Sequence, residues 1–138
     1  MSILKKVLVV FLAINALMQI GMGIMMLVNF EEVVTSMFNL SYHQDMAAIG
    51  LVLGMNVLFL GIMIALSIFW IFKGENKGVS LGMLFGWIAI TAGIVSFSQG
   101  TSEGLIIDVP RGIIILVLGY LIHRQDNSSS SLNKAPKV

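Results

Sequence analysis

The chain has 138 residues, of which 57% are apolar and 11% charged, with a net charge of +1 and no cysteine. A water-soluble domain carries roughly a quarter charged residues, so there is too little polar surface to coat a soluble globule, and a mean hydropathy of +0.96 points to a lipid bilayer as the solvent. The small net charge excludes a nucleic-acid binder that works through a basic surface, and the lack of cysteine excludes disulfide scaffolds, thiolate metal sites and thiol redox chemistry.

Crossing about 30 Å of hydrocarbon takes about 20 apolar residues in a helix. The first run that meets this length is 7–28, interrupted only by Asn15 and Gln19. It is longer than a signal-peptide core, and its one weak small-x-small cleavage candidate, Gly21-Met22-Gly23, is embedded among further methionines, so it reads as a retained helix and not as a cleaved leader. Met18, Met22, Met25 and Met26 mostly share one face of it. Thioether stripes can hold copper(I), but no softer ligand completes such a site here, and gap-filling is the reading for these methionines. The connection 29–46 follows. In it Val33, Val34, Met37 and Phe38 recur at helical spacing, and Asn29 with Glu32 matches a capping box. A short amphipathic helix on the outer face is the expectation.

The second run, 47–72, has Asn56 as its strongly polar member. The turn 73–78 contains Gly74 and Gly78, and leads to the third run, 79–99. A very short connection then makes a hairpin with the fourth run, 104–123. Residues 124–138 include four consecutive serines and no apolar periodicity, which predicts a disordered cytoplasmic tail. None of the runs alternates as a barrel wall does. The expected fold is all-α: an integral membrane four-helix bundle over 1–123, with the short amphipathic helix after the first span.

Charge placement gives the orientation. Lys5, Lys6, Lys73, Lys77, Arg124, Lys134 and Lys137 flank alternate ends of the runs, while the other two connections hold Glu31, Glu32, Asp45 and Glu103 and no cation. The positive-inside rule then puts both termini in the cytoplasm. His43 and His123 fall on opposite sides, so they cannot share a haem iron or a zinc, and no metal site is expected.

Helices in lipid associate through close packing and polar contacts. Gly50 and Gly54 in the second run, and Gly82 and Gly86 in the third, form small-xxx-small stripes extended by Gly61 and Gly93, read here as packing faces inside the chain. Homodimerisation through one stripe is the other use of such a motif. The strongest functional signal is Asp108 with Arg111, ionisable residues inside an apolar run that cost about 2.5–3.5 kcal/mol each at a helix centre. Three residues apart on a helix, they are neighbours and can pair. Pro110 between them predicts either a bend or a helix that begins there, with 104–109 non-helical. Asn15, Gln19 and Asn56 are the further polar candidates, as ligand groups or as interhelical hydrogen-bond glue. Intramembrane ion pairs are functional-site candidates by default; the plain alternative is an internal clamp.

The four-span hairpin plan, the Gly21-Met22-Gly23 end of the first run, the amphipathic segment after it, the start of the second run at Gly50, and Asp108-x-x-Arg111-Gly112 together resemble the DoxX-like group of small bacterial membrane proteins. The resemblance covers roughly 5–123. It implies a compact membrane bundle in the bacterial cytoplasmic (inner) membrane and, for some members, quinone-linked oxidoreduction; no catalytic residue carries over, because the first helix here has no charged residue. No cofactor is evident from the residues themselves, and quinone enters by resemblance alone. Three functional expectations follow: a protein that binds a lipophilic molecule such as a quinone near Asp108 and Arg111, a non-catalytic accessory or structural subunit, or a small transporter. For the last, Arg111 beside Asp108 opposes cation binding. Partners beyond the lipid bilayer would be a second copy or a membrane subunit, and no nucleic acid. The chain is not expected to be an enzyme by itself.

Overall fold

The computed structural model describes residues 1–37, 41–98, 100, 102 and 104–132. All regular structure among them is helical. In chain order there is α1 (Ile3–Val28), a single turn α2 (Phe30–Glu32) continued by a wide π turn (Val33–Met37), and a 3-10 turn (Gln44–Met46) leading into α3 (Ala47–Phe72). Then come α4 (Asn76–Ser98), a second π turn (Gly104–Asp108) and α5 (Val109–Leu132). Four of these segments are long and apolar enough to cross a membrane: Ile3–Val28, Gln44–Phe72, Asn76–Ser98 and Gly104–Ser128. The chain is an all-α integral membrane protein with four spans and a short helix after the first.

Several helix ends extend beyond the apolar boundaries. α3 coincides with the run 47–72, but α1 takes in Lys5 and Lys6, and α4 starts at Asn76. The largest departure is at α5, which continues to Leu132, so residues 124–132 are helical where a disordered tail was expected. Extending an existing helix needs no new nucleation. The extension is also tethered: Lys5 Nζ lies 2.9 Å from a carboxylate oxygen of Asp126, and Ser128 Oγ donates to the Arg124 carbonyl. Residues 133–138 of the expected tail, with Lys134 and Lys137, lie outside the described residues, as do Phe38, Gln99 and Glu103.

The chain divides into two compact units. In the unit 13–65, α1 and α3 approach through glycines. A Cβ on Gly23 would lie 2.6 Å from the Leu58 amide nitrogen, and one on Gly61 2.9 Å from that of Ile20. Gly54 meets Leu27 and Met26, and Gly50 lies under the Phe30 ring, so the short helix after α1 folds back onto α3. Phe30 also meets Tyr42 edge-on at 6.4 Å. Val33 and Val34 are buried. The capping box expected at Asn29 does not form: Asn29 flanks α2 without a side-chain cap, and its Nδ2 donates instead to the Glu32 carboxylate.

The other unit comprises 1–12 and 66–138. Here α4 and α5 run antiparallel with their backbones nearly touching. A Cβ on Gly112 would sit 2.5 Å from the Gly86 carbonyl oxygen, one on Gly93 2.6 Å from that of Gly104, and Met83 lies across Gly119. The descending register 119/83, 112/86, 104/93 fixes how the hairpin closes. Gly82 faces Leu12 and Ser67. Leu8, Leu12, Ile71, Val79, Phe85, Ile115 and Ile122 form the buried apolar centre. The hairpin turns use Gly74 at φ +77° and Gly100 at φ +90°, a region that a side chain disfavours. Beside the first, Lys73 and Lys77 each hold their ammonium 4.5 Å from the Phe69 and Trp70 ring centroids, as snorkelling cations do beside apolar surface.

Candidate functional site

The start of the fourth span is where charge and irregular backbone coincide. Pro110 has no N–H to donate, so the α-type ladder cannot run unbroken through this point. The chain does not lose helicity there. It widens into the π turn Gly104–Asp108, after which α5 proceeds normally. π turns are one way a helix absorbs such a defect, and they recur at functional sites. The non-helical 104–109 allowed for in the sequence is therefore corrected to a helical but wide turn.

Asp108 closes that turn and Arg111 is the third residue of α5, so the two side chains share a face. They form an ion pair, with an Arg111 terminal nitrogen donating to Asp108 Oδ1. Both are mostly covered, at 18% exposure for Arg111 and 29% for Asp108. The guanidinium carbon sits 5.7 Å from the ring centroid of Phe85, itself buried on α4. A guanidinium over an aromatic face gains a further electrostatic contact, larger where water is excluded. One group is left over: the buried Nε of Arg111 has no hydrogen-bond partner among the described residues.

Position also tempers the cost of these charges. Asp108 is four residues beyond Gly104, the first residue of the span, or about 6 Å along the axis. Arg111, three residues further on, is about 10 Å in, so the pair occupies the first half of the span with Asp108 nearer its end, where the insertion penalty is smaller than at the centre.

The remaining polar candidates belong to the unit 13–65. Asn15 is buried at 3% exposure. Gln19 is partly exposed, its Cβ packed against Gly61. Asn56 lies on the exposed face of α3, and its Nδ2 donates 2.8 Å to the Val52 carbonyl of its own helix. That bond is intrahelical, so Asn56 does not serve as glue within the chain. Gly50, Gly54, Gly82 and Gly86 all meet other segments of this chain, through Phe30, Leu27 and Met26, Leu12 and Ser67, and Gly112 respectively.

Three surface concavities lie away from the ion pair. One of about 390 Å³ is bordered by Lys5, Ile71, Gly74 and Asp126, one of about 420 Å³ by Trp87, Thr91 and Val95, and one of about 290 Å³ by Asn29, Phe30 and Tyr42. Among the described residues no three His, Asp or Glu side chains could together hold a metal ion.

Two contacts had no sequence signal that singled them out. Ser67, fully buried, donates 2.6 Å to the Gly78 carbonyl and joins the end of α3 to the start of α4; a hydroxyl in an apolar run near a glycine was its only clue. The Lys5–Asp126 bridge spans 121 positions in the chain. No protein-family model, characterised protein or solved structure matches this chain.

Proposed function

We propose that this protein binds an uncharged lipophilic molecule from the bilayer at Arg111. The observation that carries the reading is the buried Nε–H of Arg111, which meets no acceptor among the described residues. A buried donor without an acceptor is costly, and Asp108 already neutralises the guanidinium charge. What is unsatisfied is therefore one enclosed N–H whose guanidinium charge is already neutralised. That matches a carbonyl oxygen better than a carboxylate or phosphate. The resemblance to the DoxX-like group makes a quinone the ligand of choice, in a bacterial cytoplasmic membrane. Both termini face the cytoplasm in this reading. Its support is that Lys5, Lys73, Lys77 and Arg124 flank one set of helix ends, and Glu31, Glu32 and Asp45 the other.

A second reading is favoured by a different observation. The same guanidinium is held by Asp108 and by the Phe85 ring, as a clamp between α4 and α5 would require in an accessory membrane subunit. Arg111→Lys separates the two. It keeps the charge that pairs with Asp108 and removes the Nε donor and the planar fork. With short-chain ubiquinone or menadione added to detergent-purified protein, the wild type should gain thermal stability and Arg111→Lys should gain none. Absence of any quinone-induced shift in the wild type refutes the ligand reading.

A further inference from the structure

α3 spends one face inside the chain. Gly50, Gly54 and Gly61 are the points where Phe30, Leu27 and Ile20 come close. The other side is bare: Ile49 is 55% exposed, Val52 57% and Phe59 62%, with Asn56 exposed among them. At about 100° per residue these four positions fall within an arc of about 80°, roughly opposite the glycines. Their spacing of three, four and three is that of successive a and d positions in a helix–helix seam.

Asn56 is the informative member. It lies within the span Gln44–Phe72, where lipid tails offer neither donors nor acceptors. Its one hydrogen bond goes to Val52 of the same helix. Among the described residues the carboxamide oxygen and the second N–H have no partner. A lipid chain covering this face would leave them so. We infer that the face is covered by a second copy of this chain, packed on Ile49, Val52 and Phe59 about a two-fold axis along the membrane normal, with Asn56 opposite Asn56 of the copy.

Three physical points favour a copy over another occupant. In a two-fold contact each residue on the axis meets its own equivalent. A carboxamide is both donor and acceptor, so it is its own complement. Two copies inserted in the same sense present Asn56 at the same depth without any adjustment. Single polar residues at a-type positions are also the devices by which helix pairs fix their register.

The chain has no cysteine, so single substitutions report cleanly. In native membranes, oxidation should join copies through Val52→Cys, Asn56→Cys and Phe59→Cys, and not through Leu51→Cys, equally exposed at 61% but about 100° round the helix from Val52. In detergent, sedimentation should show a reversible dimer that Asn56→Leu weakens by about 3- to 30-fold, the range for an interhelical hydrogen bond, and that Asn56→Gln largely retains. The substitution sits on an exposed surface, so folding is not at stake. Equal cross-linking at positions 51 and 52, a cross-linked product containing a different protein, a chain monomeric at every concentration, or a dimer constant untouched by Asn56→Leu would each overturn the inference.

Discussion

Replacing Gly112 by alanine tests the idea that backbone contact between α4 and α5 holds the hairpin together. The added Cβ would stand 2.5 Å from the Gly86 carbonyl oxygen and 2.6 Å from Ile90 Cγ1. Carbon atoms pack best at about 3.5–4 Å, so the helices must part locally by roughly half an ångström or more. Because a carbonyl on a helix cannot swing aside, the overpacking cost should fall toward the upper part of the usual range of about 1–3 kcal/mol. Alanine's better helix propensity recovers at most about 1 kcal/mol, which leaves a net loss of about 1–2 kcal/mol. Gly86→Ala, whose Cβ would meet its nearest atom at 3.0 Å, should lose less. Gly21→Ala, with nothing within 4 Å, should be neutral or gain a few tenths of a kcal/mol from propensity. The assay is reversible unfolding in mixed micelles, followed by circular dichroism. If Gly112→Ala proves as stable as Gly21→Ala, the glycine contact is not what closes this hairpin.

Ser67→Ala should cost about 1–2 kcal/mol in the same assay, because the Gly78 carbonyl then loses its partner in a buried position; no loss would mean that the carbonyl finds another donor. For Lys5 and Asp126 a double-mutant cycle should give a coupling of about 0.5–1 kcal/mol that shrinks in high salt. Lys5→Met should also speed amide exchange over 125–132 if the bridge is what keeps that extension of α5 folded, and unchanged exchange would remove the tether from the account.

Much of the site was legible one residue at a time and little of it as a constellation. Asp108 and Arg111 stand out because a charge in an apolar run is expensive, and a three-residue spacing brings them together on any helix. What the spacing does not contain is Phe85, contributed by α4, or the fact that the Nε is enclosed. Both depend on the register set by the 112/86 and 104/93 glycine pairs. Asn56 shows the converse. Its polarity marks it as unusual, but whether it faces the chain's interior or the outside depends on which side of α3 the glycines occupy, and the exposed side is the answer.

Composition and run length alone determined the solvent, the number of spans and the helical class, because those follow from transfer free energies that add residue by residue. Charge placement likewise needs no fold to be read. Tertiary structure decided the rest. α5 runs past its apolar segment where Lys5 meets Asp126, the capping residue Asn29 turns to a carboxylate instead of the backbone, and Ser67 finds a carbonyl eleven residues away. Each of these is a pairing between groups whose distance is set by packing. Packing in turn rests on which glycines face which backbone, a relation between helices that no single helix carries in its own sequence.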